Sequence, residues 1–211
     1  MTMLKANNLG VHFGGQWVFR NRSLEIGEGE RIALVGESGS GKSLFLRCVC
    51  LLHPADEGEV CFGGKQVVGA DVPGFRRRVM YLPQTNVRCE GTVEDFFRQP
   101  FELSGWAGST FERDGCADLL GKFGRDAGFL QKPHQELSGG EAQIVALCRA
   151  VLLNPEVMLL DEPAAAMDSR AGVAAEGLVD EWFGQDEARA YVWVSHDKAQ
   201  ADRVAERMMQ F

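Results

Sequence analysis

Residues 31–43 read RIALVGESGSGKS, and the architecture follows from this stretch. Its first part, RIALV, is apolar between polar flanks, the pattern of a short buried strand. The glycine-rich segment GESGSGKS (36–43) comes next. An apolar-periodic run then predicts a helix from about Gly41 to His53, stopped by Pro54. The whole fits G-x-x-x-x-G-K-[ST] between a strand and a helix, the context in which that pattern cradles phosphate. Gly36, Gly39 and Gly41 allow backbone angles that turn successive N–H groups inward around an anion. The helix start adds the positive end of its dipole. The expected cradle comprises Gly36, Glu37, Ser38, Gly39, Ser40, Gly41, Lys42, Ser43 and Leu44. Lys42 is expected to reach the β- and γ-phosphates of a nucleotide, and Ser43 to offer a hydroxyl to Mg²⁺. The competing reading is a glycine-rich turn that merely caps a helix; at average residue frequencies the pattern arises by chance in on the order of one chain in a hundred, and the strand–loop–helix context lowers that further.

On either side, residues 79–82 (VMYL), 157–161 (VMLLD) and 190–194 (AYVWV) read as three more buried strands. Helices are predicted at 141–153, 169–183 and 197–206. This alternation is that of a largely parallel α/β sheet. Residues 3–28 and 58–68 differ: their glycine-punctuated alternation predicts an antiparallel β layer on the N-terminal side. Residues 85–135 carry a weaker apolar pattern and many glycines, and read as a mainly helical insertion. The expected organisation is a core formed by 1–84 and 150–211 and a helical subdomain at 85–149.

The chain has 211 residues, 45% apolar and 25% charged, which is ordinary globular composition. With 22 Lys plus Arg against 30 Asp plus Glu, the formal charge is −8. A general nucleic-acid binder needs a basic face, so no nucleic-acid partner is expected. No apolar run approaches the ~18–20 residues that cross a bilayer. The N-terminus, MTMLKANNLG, lacks a signal-peptide layout. The expectation is a cytoplasmic chain without direct lipid insertion, held at the inner face of a membrane, if at all, by other subunits. The six cysteines (Cys48, Cys50, Cys61, Cys89, Cys116, Cys148) lie mostly in apolar surroundings and read as reduced packing residues. The basic run Arg76-Arg77-Arg78 reads as a solvated helix end before the 79–82 strand.

Two further motifs bear on chemistry. The strand VMLLDE ends on Asp161 and Glu162, and ligands of open parallel sheets gather at the carboxyl ends of strands. Asp161 can hold the water shell of Mg²⁺, and Glu162 can polarise an attacking water. As a lone signal, two carboxylates there also suit a helix cap. At 137–141 stands LSGGE, a second helix start with exposed N–H groups: Ser138 at the N-cap, Gly139, Gly140, and Glu141 completing a capping box. Two phosphate-seeking helix starts in one chain, about a hundred residues apart, are both used if two copies associate head to tail. The 36–43 loop of one copy then faces LSGGE of the other across a nucleotide.

GESGSGKS, LSGGE, VMLLDEP and VSHD, in that order, resemble the nucleotide-binding subunit of an ATP-binding cassette (ABC) transporter, and the resemblance covers nearly the whole chain. It implies a P-loop NTPase core, ATP and Mg²⁺ as ligands, a homodimer or heterodimer closed by ATP, and multi-span membrane permease subunits as partners. Gln84, in YLPQ, matches the glutamine that touches the metal and the attacking water, and opens the insertion that meets the membrane subunits. His196, in VSHD, matches the histidine that contacts the γ-phosphate. Asp168 matches the loop aspartate at the dimer interface. Phe13 falls where such proteins set an aromatic ring against adenine, with Trp17 the weaker candidate.

Two positions depart from the family. Ile144 stands where a basic residue is usual, and Ala164-Ala165-Ala166 precedes Asp168 where hydroxyl residues are usual. Both put interface hydrogen bonding and ATPase rate in question, not nucleotide binding. The stretches FRRRVMYLPQTNVRCEGTVEDFF and VWVSHDKAQADRVAERMMQF resemble small bacterial subunits of the iron-export type. With no segment after Phe211, no C-terminal regulatory domain is expected. Among transport subunits, importer ATPases for amino acids, phosphate or metals are the rivals to iron export; outside transport, the alternative is a soluble ATPase such as an iron–sulfur assembly subunit. A small-molecule kinase of the P-loop class is disfavoured by LSGGE and His196.

Overall fold

In this computed structural model, which describes residues 1–85, 89–103, 106 and 110–211, the apolar strands form a five-stranded sheet. Its members are β3 (Arg31–Val35), β6 (Val79–Leu82), β7 (Val157–Asp161), β8 (Ala190–Val194) and β9 (Arg207–Gln210), in the order β6-β7-β8-β3-β9. The pairs β7/β8, β8/β3 and β3/β9 are parallel. Every residue of β7 and β8 is buried. Central parallel strands are covered on both faces, which is why these two are continuous apolar runs.

A second sheet is antiparallel, in the order β2-β1-β4-β5: β1 (Thr2–Phe13), β2 (Gln16–Gly27), β4 (Glu57–Phe62) and β5 (Lys65–Gln66). The N-terminal β layer expected from the sequence is therefore present. Leu4, Leu9 and Ile26 from this sheet, Ile32, Leu34, Leu159 and Val192 from the parallel sheet, and Phe45, Leu46 and Val49 from α1 (Lys42–Val49) share one apolar core.

The chain divides into two units. The first comprises Met1–Tyr81, Pro155–Glu162 and Phe183–Phe211; the second comprises Leu82–Asn154 and Pro163–Trp182. The first holds both sheets except for Leu82 at the end of β6, together with α1, α2 (Val72–Arg78) and α7 (Lys198–Val204). The second is helical: α3 (Val93–Arg98), α4 (Arg113–Gly121), α5 (Gly139–Leu152) and most of α6 (Ser169–Gly184). The parts of the expected insertion at 86–88, 104–105 and 107–109 lie outside the described residues. Inside the helical unit α4 packs on α5. The Arg149 guanidinium lies 3.5 Å from the Phe96 ring centroid, and burial lowers its pKa to about 10.

Three details differ from the sequence reading. The helix after the glycine loop stops at Val49, short of Pro54, because Leu51 takes a left-handed backbone (φ 58°). The N–H groups of Leu52 and His53 then bond back to the carbonyl of Arg47. The helix expected at 197–206 is shorter, from Lys198 to Val204, with the Asp197 side chain capping it. The strand β9 has no counterpart in the sequence reading: it pairs with β3 at the edge of the sheet, and three of its four residues are exposed, so no buried apolar run marks it.

Candidate nucleotide site

Strand register brings three loops of the first unit to one edge. Val194 lies opposite Leu34 on one side and opposite Asp161 on the other. The carboxyl ends of β3, β8 and β7 are therefore level, and Gly36, Ser195-His196 and Glu162 all leave the sheet at the same edge. In a parallel sheet this edge is where ligands bind.

The loop 36–43 closes around the Lys42 ammonium. Nζ donates to the carbonyls of Gly36 at 2.9 Å and Glu37 at 2.6 Å, with the Ser40 hydroxyl at 3.4 Å. Lys42 is buried, while Glu37, Ser38 and Gly39 are exposed and Gly36, Ser40 and Gly41 partly so. Gly41, the N-cap of α1, has φ 101°, which a residue with a side chain adopts only under strain. Ser43 is exposed and Leu44 half-buried on the first turn.

Asp161 at the tip of β7 is 2% exposed, and its Oδ2 accepts the Tyr81 hydroxyl proton at 2.8 Å. Burial first, and the Asp161 carboxylate second, push the Tyr81 phenol up, so it stays a donor. Asp161 and Ser43 are hard oxygen donors, one anionic and one neutral, the ligand type that Mg²⁺ takes. Glu162 follows with a left-handed backbone (φ 47°) that turns its side chain sharply off the strand. One Oε2 lies 3.5 Å from Nδ1 of His196, which is largely exposed. The Ser195 hydroxyl accepts from Asp197 N–H at 3.0 Å and donates to Gln200 at 2.9 Å, which braces the turn that carries His196.

Phe13 ends β1 at the hairpin tip, with 79% of its surface exposed. It is a free ring, not a core residue. Trp17 is more engaged: His12 meets it edge-on at 5.3 Å, and the Arg20 guanidinium lies 4.5 Å above it.

The second unit carries the other half of the residue set. The Ser138 hydroxyl accepts Glu141 N–H at 3.2 Å, and Glu141 Oε2 accepts Ser138 N–H at 2.9 Å, so the capping box is complete. Glu141 also pairs with Lys132 (2.8 Å) and Arg125 (3.8 Å). Burial pushes its carboxyl up, but Lys132 and the Ser138 N–H outweigh this and hold it below the usual carboxylate range. A cleft of about 800 Å³ opens beside this helix start, lined by Ser138, Gly139, Gly140, Glu141, Ile144, Ala166 and Asp168. The cations Lys122, Arg125 and Arg170 also line it. Ile144 adds no charge here, so the positive groups come from other elements. Asp168 is exposed and caps α6 by accepting Ala171 N–H at 2.8 Å. Gln84, two residues past β6, is exposed.

Two residues were not anticipated, Tyr81 and Gln143. Tyr81 stands in a strand of the expected type, and only the pairing of β6 with β7 shows what it reaches. Of the cysteines, Cys48, Cys50, Cys116 and Cys148 are buried. Burial raises the thiols of Cys48 and Cys116 to about 11 and that of Cys50 to about 12, so they are unreactive packing groups.

Comparison with known proteins gives the family. The family described as ABC transporter matches residues 19–165. ABC transporter I family member 17 of Arabidopsis thaliana is 37% identical over 194 residues, covering 91% of this chain and 72% of its own length. A probable anion import ATP-binding protein of Haloferax volcanii is 34% identical, covering 98% and 76%. A solved dimeric ATP-binding cassette in a post-hydrolysis state, bound to ADP and Pi, superposes with a TM-score of 0.85 at 26% identity, covering 99% and 94%. Three loops at one edge of a parallel sheet, a carboxylate on a left-handed backbone beside a histidine, a family match over 19–165 and relatives of this kind lead to one conclusion: the chain belongs to the ABC transporter family and is an ATP-hydrolysing subunit of it.

Proposed function

We propose that two copies of the chain close head to tail on two ATP molecules and that hydrolysis powers solute movement through separate multi-span membrane subunits. The observation that carries the catalytic part is Glu162, turned off β7 by its left-handed backbone and 3.5 Å from His196. In this reading the inward N–H groups of 36–43 and the Lys42 ammonium hold the β- and γ-phosphates. Phe13 stacks on the adenine ring, an interaction worth about 1 kcal/mol. Glu162 accepts a proton from, or orients, the attacking water. His196 donates to the γ-phosphoryl oxygens, and Gln84 orients the same water. Ser138, with the N–H groups of Gly139 and Gly140, meets the γ-phosphate from the opposing copy, and Asp168 lies at the same interface. Ser43, Asp161 and Gln84 would hold Mg²⁺, which when bound neutralises charge on the β- and γ-oxygens. After hydrolysis the γ-phosphate no longer bridges the two copies, and they separate.

For the solute, the Haloferax volcanii relative, named for anion import, supports import of an anion in preference to iron export. Among the described residues no helix is long and apolar enough to cross a membrane. In this reading the path for solute belongs to partner subunits. The helical unit is the proposed contact with them. Glu162→Gln is expected to bind ATP as the parent does, to run as a dimer with ATP and Mg²⁺ in light scattering, and to lose nearly all turnover. Normal hydrolysis by this variant removes Glu162 from the mechanism. ATPase stimulation in a complex reconstituted with the membrane partner, by anions or iron on either side, separates import from export. Recovery of the chain with soluble assembly factors and no membrane protein would favour the assembly ATPase instead.

A further inference from the structure

Gln143, two residues after Glu141 on α5, is polar yet only 3% exposed. Its amide joins two distant segments. Nε2 donates to the Gln84 carbonyl at 3.0 Å, and Oε1 accepts the Ala166 N–H at 2.8 Å. A single amide orientation satisfies both partners, since the flipped group would set NH₂ against N–H and oxygen against carbonyl. Gln84 lies 59 residues away in sequence and Ala166 lies 23 away. All three belong to the same unit.

A second contact acts on the same loop. A Cβ placed on Gly140 would come within 2.6 Å of the Ala166 carbonyl oxygen, so the loop rests directly on the first turn of α5. The segment Ala164-Ala165-Ala166 has no polar side chain with which to hold itself. Its backbone is fixed by close packing on Gly140 and by the Gln143 amide. A buried amide with both ends bonded is costly to disturb, because each lost partner leaves a desolvated polar group.

We infer that Gln143 is a positioning residue for ATP hydrolysis, tying the backbone of Gln84 and the loop leading to Asp168 to the helix that begins at Ser138. The inference rests on the roles proposed above for Gln84 and Ser138. A shift of α5 then carries Gln84 and the Ala166 loop with it. The residue touches no substrate and acts through its neighbours.

The test uses the full chain with ATP and Mg²⁺. Gln143→Glu keeps the acceptor for Ala166 and loses the donor to Gln84, whereas Gln143→Met loses both at similar volume. Should Gln143→Met fail to fold, Gln143→Glu carries the test. The expected result is a drop in kcat of about 10- to 100-fold, as for a misplaced catalytic group, with KM for ATP changed by less than about threefold. In a Gln84→Ala background, Gln143→Glu is expected to cost less than about threefold more, because both changes act on one unit. Unchanged kcat in Gln143→Glu overturns the inference, as does full multiplication of the two losses in the double variant. If Gln84→Ala alone hydrolyses ATP normally, the role of Gln84 fails first and the inference falls with it. Loss in Gln84→Ala beside normal turnover in Gln143→Glu sinks the inference alone.

Discussion

Glu162 shows how one backbone angle serves chemistry. A left-handed conformation costs a non-glycine residue about 1–2 kcal/mol, and such strain gathers at functional sites. Glycine would relieve it but would lack the carboxylate. Glu141 shows the electrostatic counterpart. Its carboxyl is depressed below the usual range, so its folded value lies under its unfolded one. The stability it contributes is full above the unfolded value of about 4.3 and is lost as pH falls through the folded value. Chemical denaturation of the parent and of Glu141→Gln should show a gap in stability near neutrality that narrows below about pH 4. A gap that is constant with pH would mean that Lys132 and Arg125 do nothing for the cap. Lys42, Asp161, Glu162 and Ser138 are legible from sequence because each sits in a short local motif. Tyr81 and Gln143 are not, because their partners lie 80, 59 and 23 residues away.

Helix α1 is short, eight residues, yet it presents Lys42 and Ser43. Eight residues do not hold a helix by propensity, so tertiary packing must. Phe45 provides it: fully buried, it meets Phe19 edge-on at 5.6 Å and Phe211 at 5.3 Å. Phe45→Ala should cost about 3–5 kcal/mol of stability in urea unfolding, the usual loss for a buried aromatic. ATP affinity measured by calorimetry should weaken with it, because the helix start is loosened. Unaltered affinity in a destabilised variant would show that the loop holds its shape without α1. The same element shows a limit of sequence reading. Pro54 gave a stop signal, but the left-handed turn at Leu51 ends the helix earlier, and β-branched or leucine residues carry no signal for that conformation.

Two copies would bring together two net charges of −8, and the nucleotides add more negative charge. Long-range repulsion opposes closure until local contacts form, and salt screens it over about 10 Å at 0.1 M. The ATP-bound dimer of Glu162→Gln should therefore tighten as ionic strength rises from about 0.02 to 0.2 M, read by sedimentation. Weakening over that range would mean that ion pairs across the interface dominate. The basic cleft residues Lys122, Arg125 and Arg170 are where such pairs would arise.

The alternation of buried strands and helices, the phosphate loop and the order of motifs are local patterns, and the linear chain carries them in full: each needs only neighbours within a turn or a strand. Pairing is another matter. That β9 adds to the edge of the parallel sheet, that Tyr81 meets Asp161, and that one glutamine ties two loops together all depend on which segments lie side by side. No residue signals a partner many tens of positions away, and burial of the shared core is what brings them within hydrogen-bonding distance.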